Sequence, residues 1–136
     1  MIHDCHNHIG YDPIYQRERS ADELLSEMDE NGVDTATVFP FISNPDVINQ
    51  NKIVLEAIIL HPERLIGFFS MNPKLPTKIE LMHEYTDQGF KGVAIDLRFG
   101  PGFGDRQTHE VLECAYMLGL KVWVHSDQKD APLGIG

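Results

Sequence analysis

Apolar positions in this chain recur at two spacings, near two residues in short runs and near 3.6 in longer ones. Ile2 to Ile9 opens as a strand. Ser20-Ala21-Asp22-Glu23 reads as a capping box, in which the serine oxygen and the glutamate satisfy free amides of a helix's first turn. Ala21, Leu24, Leu25 and Met28 follow at helical spacing, and Gly32 closes that helix. Thr35 to Phe39, β-branched and aromatic, predicts a second strand. Pro45 opens a second helix that runs through Leu60 and ends at His61-Pro62. Leu65 to Met71 predicts the third strand, Thr77 to Gln88 the third helix, and Gly92 to Leu97 the fourth strand. Thr108 to Leu118 sets Val111, Leu112, Ala115 and Leu118 on one helical face, and Lys121 to His125 follows as the fifth strand.

That order, βαβαβαβαβ, implies a parallel sheet with helical crossovers. It closes either as an open doubly wound sheet or as a (β/α) barrel. Open sheets that bind nucleotides carry a glycine-rich phosphate loop after the first strand, whereas here the first strand carries histidines and is followed by Gly10 alone. The expected fold is therefore α/β of the TIM-barrel type, with parallel strands. It is incomplete, at about five of eight βα units, because a full barrel takes about 250 residues and this chain has 136. Residues 1–136 read as a single domain, the N-terminal portion of such a barrel.

Composition narrows the partners. A formal charge of -10, spread along the chain, repels phosphate backbones and argues against nucleic acid. The nearly apolar run Ile53 to Leu60 is interrupted by Glu56 and is far too short to span a membrane. Cys5 and Cys114 make no disulfide framework, and no basic-then-apolar leader precedes the first motif. A cytoplasmic protein acting on a small molecule is expected.

The chemistry concentrates in Asp4-Cys5-His6-Asn7-His8. Strand alternation puts His6 and His8 on one side, where two imidazoles can converge on one metal ion. They sit toward the strand's C-terminal end, where barrel active sites are built. Asp4 shares their parity and is expected to support them from beneath. A cupin also uses His-x-His, but the Glu it needs a few residues later is missing. His125, at the end of the fifth strand, is the third candidate ligand. Asp96 ends the inward face of the fourth strand, a catalytic candidate suited to binding a second metal, orienting a water or touching substrate, or else to pairing with Arg98. Arg98 opens the loop Phe99-Gly100-Pro101-Gly102-Phe103-Gly104 and suits a substrate carboxylate. Trp123 shares the parity of His125 and reads as a core aromatic, with a place in the pocket wall as the alternative.

Met1 to Gly10 resembles the opening strand of the amidohydrolase superfamily, in its amidohydrolase-related (amidohydrolase 2) hydrolase and decarboxylase branch. His61-Pro62-Glu63-Arg64-Leu65-Ile66-Gly67-Phe68 with Met71-Asn72-Pro73, Gly89-Phe90-Lys91-Gly92-Val93 and Val122-Trp123-Val124-His125 are similar to later strands of that branch. The resemblance implies a divalent metal, most often Zn2+, held by His6, His8 and His125. It implies hydrolysis of an amide, ester or lactone by metal-activated water, or non-oxidative decarboxylation on the same site. A bridged two-metal centre is not expected, because Ala94 and Asp96 stand where that branch sometimes has lysine or histidine. The family's eighth-strand aspartate has no counterpart before Gly136, so an inactive metal-binding fragment is a further alternative, and a related metal-dependent nuclease is opposed by the charge. Open edges on the first and fifth strands, with an almost wholly apolar second helix, predict a homo-oligomer or aggregate rather than a stable monomer.

Overall fold

The two apolar spacings meet across one sheet with helices packed on it. The structure is a computed structural model and describes residues 1–96 and 104–125. Its elements are β1 (His3–Asp12), β2 (Arg17–Arg19), α1 (Ala21–Asn31), β3 (Thr35–Pro40), α2 (Val47–Leu60), β4 (Leu65–Ser70), α3 (Lys78–Asp87), β5 (Gly92–Asp96), α4 (Arg106–Met117) and β6 (Lys121–His125). The strands lie in the order β2-β1-β3-β4-β5-β6. β2 runs antiparallel to β1, and every other pairing is parallel. The five expected parallel strands are therefore present, each followed by a helix up to β6.

β2 was not legible as a strand, because Arg17-Glu18-Arg19 has no apolar position. It forms because β1 runs on past Ile9, pairing Gly10 with Arg19 and Asp12 with Arg17. The Asp12 carboxylate turns the chain by accepting hydrogen bonds from the Ile14 amide at 3.0 Å and the Tyr15 amide at 3.5 Å. The expectation that β1 is the sheet's edge strand is corrected accordingly: β2 takes that place along Gly10 to Asp12.

The helix-facing core follows the sequence closely. Ser20 Oγ accepts from the Glu23 amide at 3.1 Å to start α1, and Gly32 ends it at φ 68°. Leu24 and Met28 of α1, Val54 of α2, Met82 of α3 and Val111 of α4 bury against Val38, Phe69, Val93 and Ile95 of the strands. α2 lies close on the sheet because Gly67 of β4 has no side chain, and a Cβ there would stand 2.9 Å from Ile58 Cγ2. Asn51 of α2 ties the end of β4, donating to Ser70 O at 2.8 Å and accepting from Ser70 N at 2.7 Å. The far side of α2 leaves Ile59 and Leu60 exposed.

On the opposite face Phe39, Phe68 and Ala94 form a second, smaller cluster, with Ile42 and Trp123 against it. Trp123 thus lies on the inner face, as the parity it shares with His125 implies, while Val124 packs against the main core. Among the described residues no helix is long and apolar enough to cross a membrane.

Candidate metal and substrate site

His6 and His8 reach one place through an irregular strand. Asp4 is level with Ala36 and Asn7 with Val38, so three steps along β1 match two along β3. This bulge breaks the alternation of β1. His3 and His8, five residues apart, consequently share the inner face of β3. His3 Nδ1 lies 2.7 Å from Thr35 Oγ1 and its Nε2 lies 2.9 Å from Thr37 Oγ1, while His8 is level with Phe39. Asp4 does not sit beneath the histidine rings as alternation predicted. It is exposed, and its carboxylate turns back to accept from the His6 amide at 3.2 Å.

The two candidate ligands meet closely, with His6 Nε2 2.9 Å from His8 Nε2. His8 Nδ1 donates to Pro40 O at 3.0 Å, which fixes the tautomer and leaves Nε2 with a lone pair. The His8 ring stacks on Phe41, centroids 5.2 Å apart, and the His6 ring packs on Trp123 at 4.6 Å. Burial pushes the His8 pKa below 6.5, and the charges of His6, His125 and Arg17 act the same way, against the opposing bond to Pro40. A neutral imidazole is the form that binds metal.

His125 closes β6, next to Asp96 at the end of β5 in matched register. Both lie at the C-terminal ends of parallel strands. His125 is close enough to act electrostatically on His8. Among the described residues no three His, Cys, Asp or Glu side chains converge on a single metal position. The structure thus brings His6 and His8 together, and His125 stands nearby without completing a triad. Arg98 and the glycine-rich loop after it, apart from Gly104, lie outside the described residues.

The donors present suit a divalent ion. Tetrahedral binding at 2.0–2.1 Å sets two imidazole nitrogens about 3.3 Å apart, a few tenths of an ångström beyond the spacing of this pair. The backbone carbonyl behind His8 is the partner that metal-binding histidines take on their other nitrogen.

Beside the pair lies a cavity of about 360 Å³, whose lining includes His6, His8, Arg17, Glu18, Glu23 and Phe41. Asn7 also borders it; its Nδ2 is buried with no hydrogen-bond partner among the described residues. Arg17 was missed in the sequence, since nothing in its neighbours marks it. Arg17 Nε donates to Asp12 Oδ2 at 3.1 Å. Burial alone would raise the Asp12 pKa, but hydrogen bonds from Ile14, Ser43, Tyr15 and Arg17 outweigh it and hold the carboxyl below its ordinary value of 3.8. Asp12 is thus a buried anionic hub that joins the β1–β2 hairpin to the loop after β3, through Ser43 Oγ at 3.0 Å.

Neither a protein-family model nor a curated protein sequence matches the chain. Solved structures do. A probable 2-pyrone-4,6-dicarboxylic acid hydrolase from Acinetobacter baumannii, with citric acid bound, superposes at TM-score 0.72 and 20% identity over 94% of this chain and 50% of that one. A 2,6-dihydroxybenzoate decarboxylase from Rhizobium does so at 0.68 and 15% identity over 99% and 53%. An amidohydrolase from Mycobacterium avium subsp. paratuberculosis K-10 does so at 0.53 and 19% identity over 88% and 40%. The chain spans about half the length of these proteins, and at such identities the likeness establishes the fold: part of a (β/α) barrel of the kind amidohydrolase enzymes use.

Proposed function

We propose that this chain carries the opening half of a metal-dependent barrel enzyme of the amidohydrolase 2 type, with His6 and His8 as metal ligands and His125 as a third. The observation that carries this reading is the His6–His8 pair, with Nε2 atoms 2.9 Å apart and the far nitrogen of His8 bonded to Pro40 O. That arrangement sets the two Nε2 atoms against each other, where an ion taking the place of the shared proton would find both. Likeness to a hydrolase and to decarboxylases of the same fold supports it.

The reaction proposed first is hydrolysis of an amide, ester or lactone. A divalent ion, most simply Zn2+, supplies Lewis acidity and an acidified water when bound. The chain's own residues orient and exclude. Pro40 O holds the His8 ring, while Phe41 and Trp123 wall the pair with apolar surface. Asp96, at the strand end beside His125, is proposed for proton transfer, and Arg98 for contact with substrate. Decarboxylation on the same histidines is the second reading, favoured by the likeness to the 2,6-dihydroxybenzoate and 5-carboxyvanillate decarboxylases.

Zinc content of the purified chain tests the assignment. His6→Ala and His8→Ala are each expected to lose stoichiometric zinc, while His83→Ala on α3 retains it. Equal zinc in all three would overturn it.

A further inference from the structure

We propose that Arg17 is a specificity-determining residue, a preset guanidinium that binds one carboxylate of an anionic substrate beside the His6–His8 pair. The proposal rests on the reading of that pair as the metal site and adds what the site selects. Arg17 and both histidines line the same cavity. Phe41 links them, stacking on His8 at 5.2 Å and carrying the Arg17 guanidinium at 5.4 Å from its centroid.

The guanidinium is held at its root and open at its tip. Its Nε donates to Asp12, whose side chain is 5% exposed, while the Arg17 side chain itself is 62% exposed. Asp12 is fixed in turn by the Ile14 amide and Ser43 Oγ, both at 3.0 Å. Tyr15 adds a second ring 5.4 Å from Arg17 Cζ. Of the five N–H groups of an arginine, only the one on Nε has a partner among the described residues. The planar fork that remains is the shape that grips a carboxylate through two parallel hydrogen bonds.

Arg19, on the same strand and in the same cavity wall, serves as the contrast, because its guanidinium is already paired with Glu27. Glu18, Glu23 and Glu27 complete that wall. Their charge opposes a polyanion, so the geometry suits a single carboxylate at Arg17 with the rest of the substrate uncharged near the histidines.

Calorimetric titration of the whole chain, metal-free and zinc-loaded, tests this with benzoate and its neutral isostere benzamide. Benzoate is expected to bind in both forms. Arg17→Gln should weaken it about ten-fold, leaving benzamide affinity and zinc content unchanged. Arg17→Lys, which keeps the charge without the fork, should fall between, and Arg19→Gln should match the unaltered chain. Thermal unfolding of each variant establishes that it is folded. Equal benzoate affinity in the unaltered chain and Arg17→Gln would overturn the proposal, as would an equal loss in Arg19→Gln. If the chain takes up no zinc, the metal reading fails while the Arg17 difference in the metal-free form still decides this one. If zinc binds and Arg17→Gln changes nothing, only the Arg17 proposal falls.

Discussion

On the helix side of the sheet Ala36, Val38, Val93 and Ile95 are fully buried and alternate without a break. On the opposite face His3 and His8 share a side only because β1 carries an extra residue between Asp4 and Asn7. The first region is held by apolar area, which is spread over many residues and tolerant of small shifts. The second carries only the small cluster of Phe39, Phe68 and Ala94, and its polar groups are held by directed hydrogen bonds: His3 with Thr35 and Thr37, His8 to Pro40 O, and Arg17 to Asp12. Stability and chemistry are thus written on different faces, and substitutions can separate them.

The largest expected effect is on the helix side. Phe69 is fully buried and packs on Tyr85 and Phe90 with ring centroids 4.9 and 5.5 Å away. Phe69→Ala should destabilise the fold by about 3–5 kcal/mol in urea unfolding, and a loss under 1 kcal/mol would show the core to be looser than described.

Asp12→Asn comes next, because it removes a charged acceptor from four donors and should cost about 2 kcal/mol at neutral pH. Its folded pKa lies below the ordinary 3.8. The unfolded chain therefore takes up the proton first as pH falls. The contribution is whole above the unfolded value and is lost as pH drops through the folded one. The gap between Asp12→Asn and the unaltered chain should close over that acid range, and a constant gap would contradict the hub.

Gly10→Ala should cost about 1–3 kcal/mol. Gly10 has φ +108°, and a Cβ there would meet Gln50 Oε1 at 2.4 Å, the atom that accepts from the Tyr11 amide. Unchanged thermal stability would show that the hairpin is not pinned by α2.

The smallest effect is expected at Arg19→Gln. Its ion pair with Glu27 is partly exposed on both sides, and such pairs contribute about 0–1 kcal/mol. A larger loss would place Arg19 in the fold's framework.

The same contrast explains what could be read from the residues alone. The five parallel strands and four helices were legible because the helix-side core repeats at regular spacing, with Ser20 and Gly32 marking the ends of α1. His6 and His8 were legible as a pair, since two ring-bearing polar residues inside a strand stand out against apolar alternation. The bulge was not, because Asp4-Cys5-His6-Asn7 carries no apolar period to slip against. Unbroken alternation sets Asp4 beneath the rings, and the bulge turns it away. Arg17, Asp12 and Phe41 escaped because their joint position depends on a three-residue charged strand and on a loop whose Ser43 lies 31 residues from Asp12, neither of which leaves a periodic trace. Arg98 lies outside the described residues, and its contact with substrate stands as a proposal beside that of Arg17.

X-ray absorption at the zinc edge tests the central claim most directly, because it reads the atoms around the ion without requiring turnover. A shell at about 2.0–2.1 Å with imidazole scattering is expected in the unaltered chain, and the loss of at least one imidazole in His8→Ala. A shell without imidazole, or one identical in His8→Ala, would contradict the assignment of His6 and His8 as the metal pair.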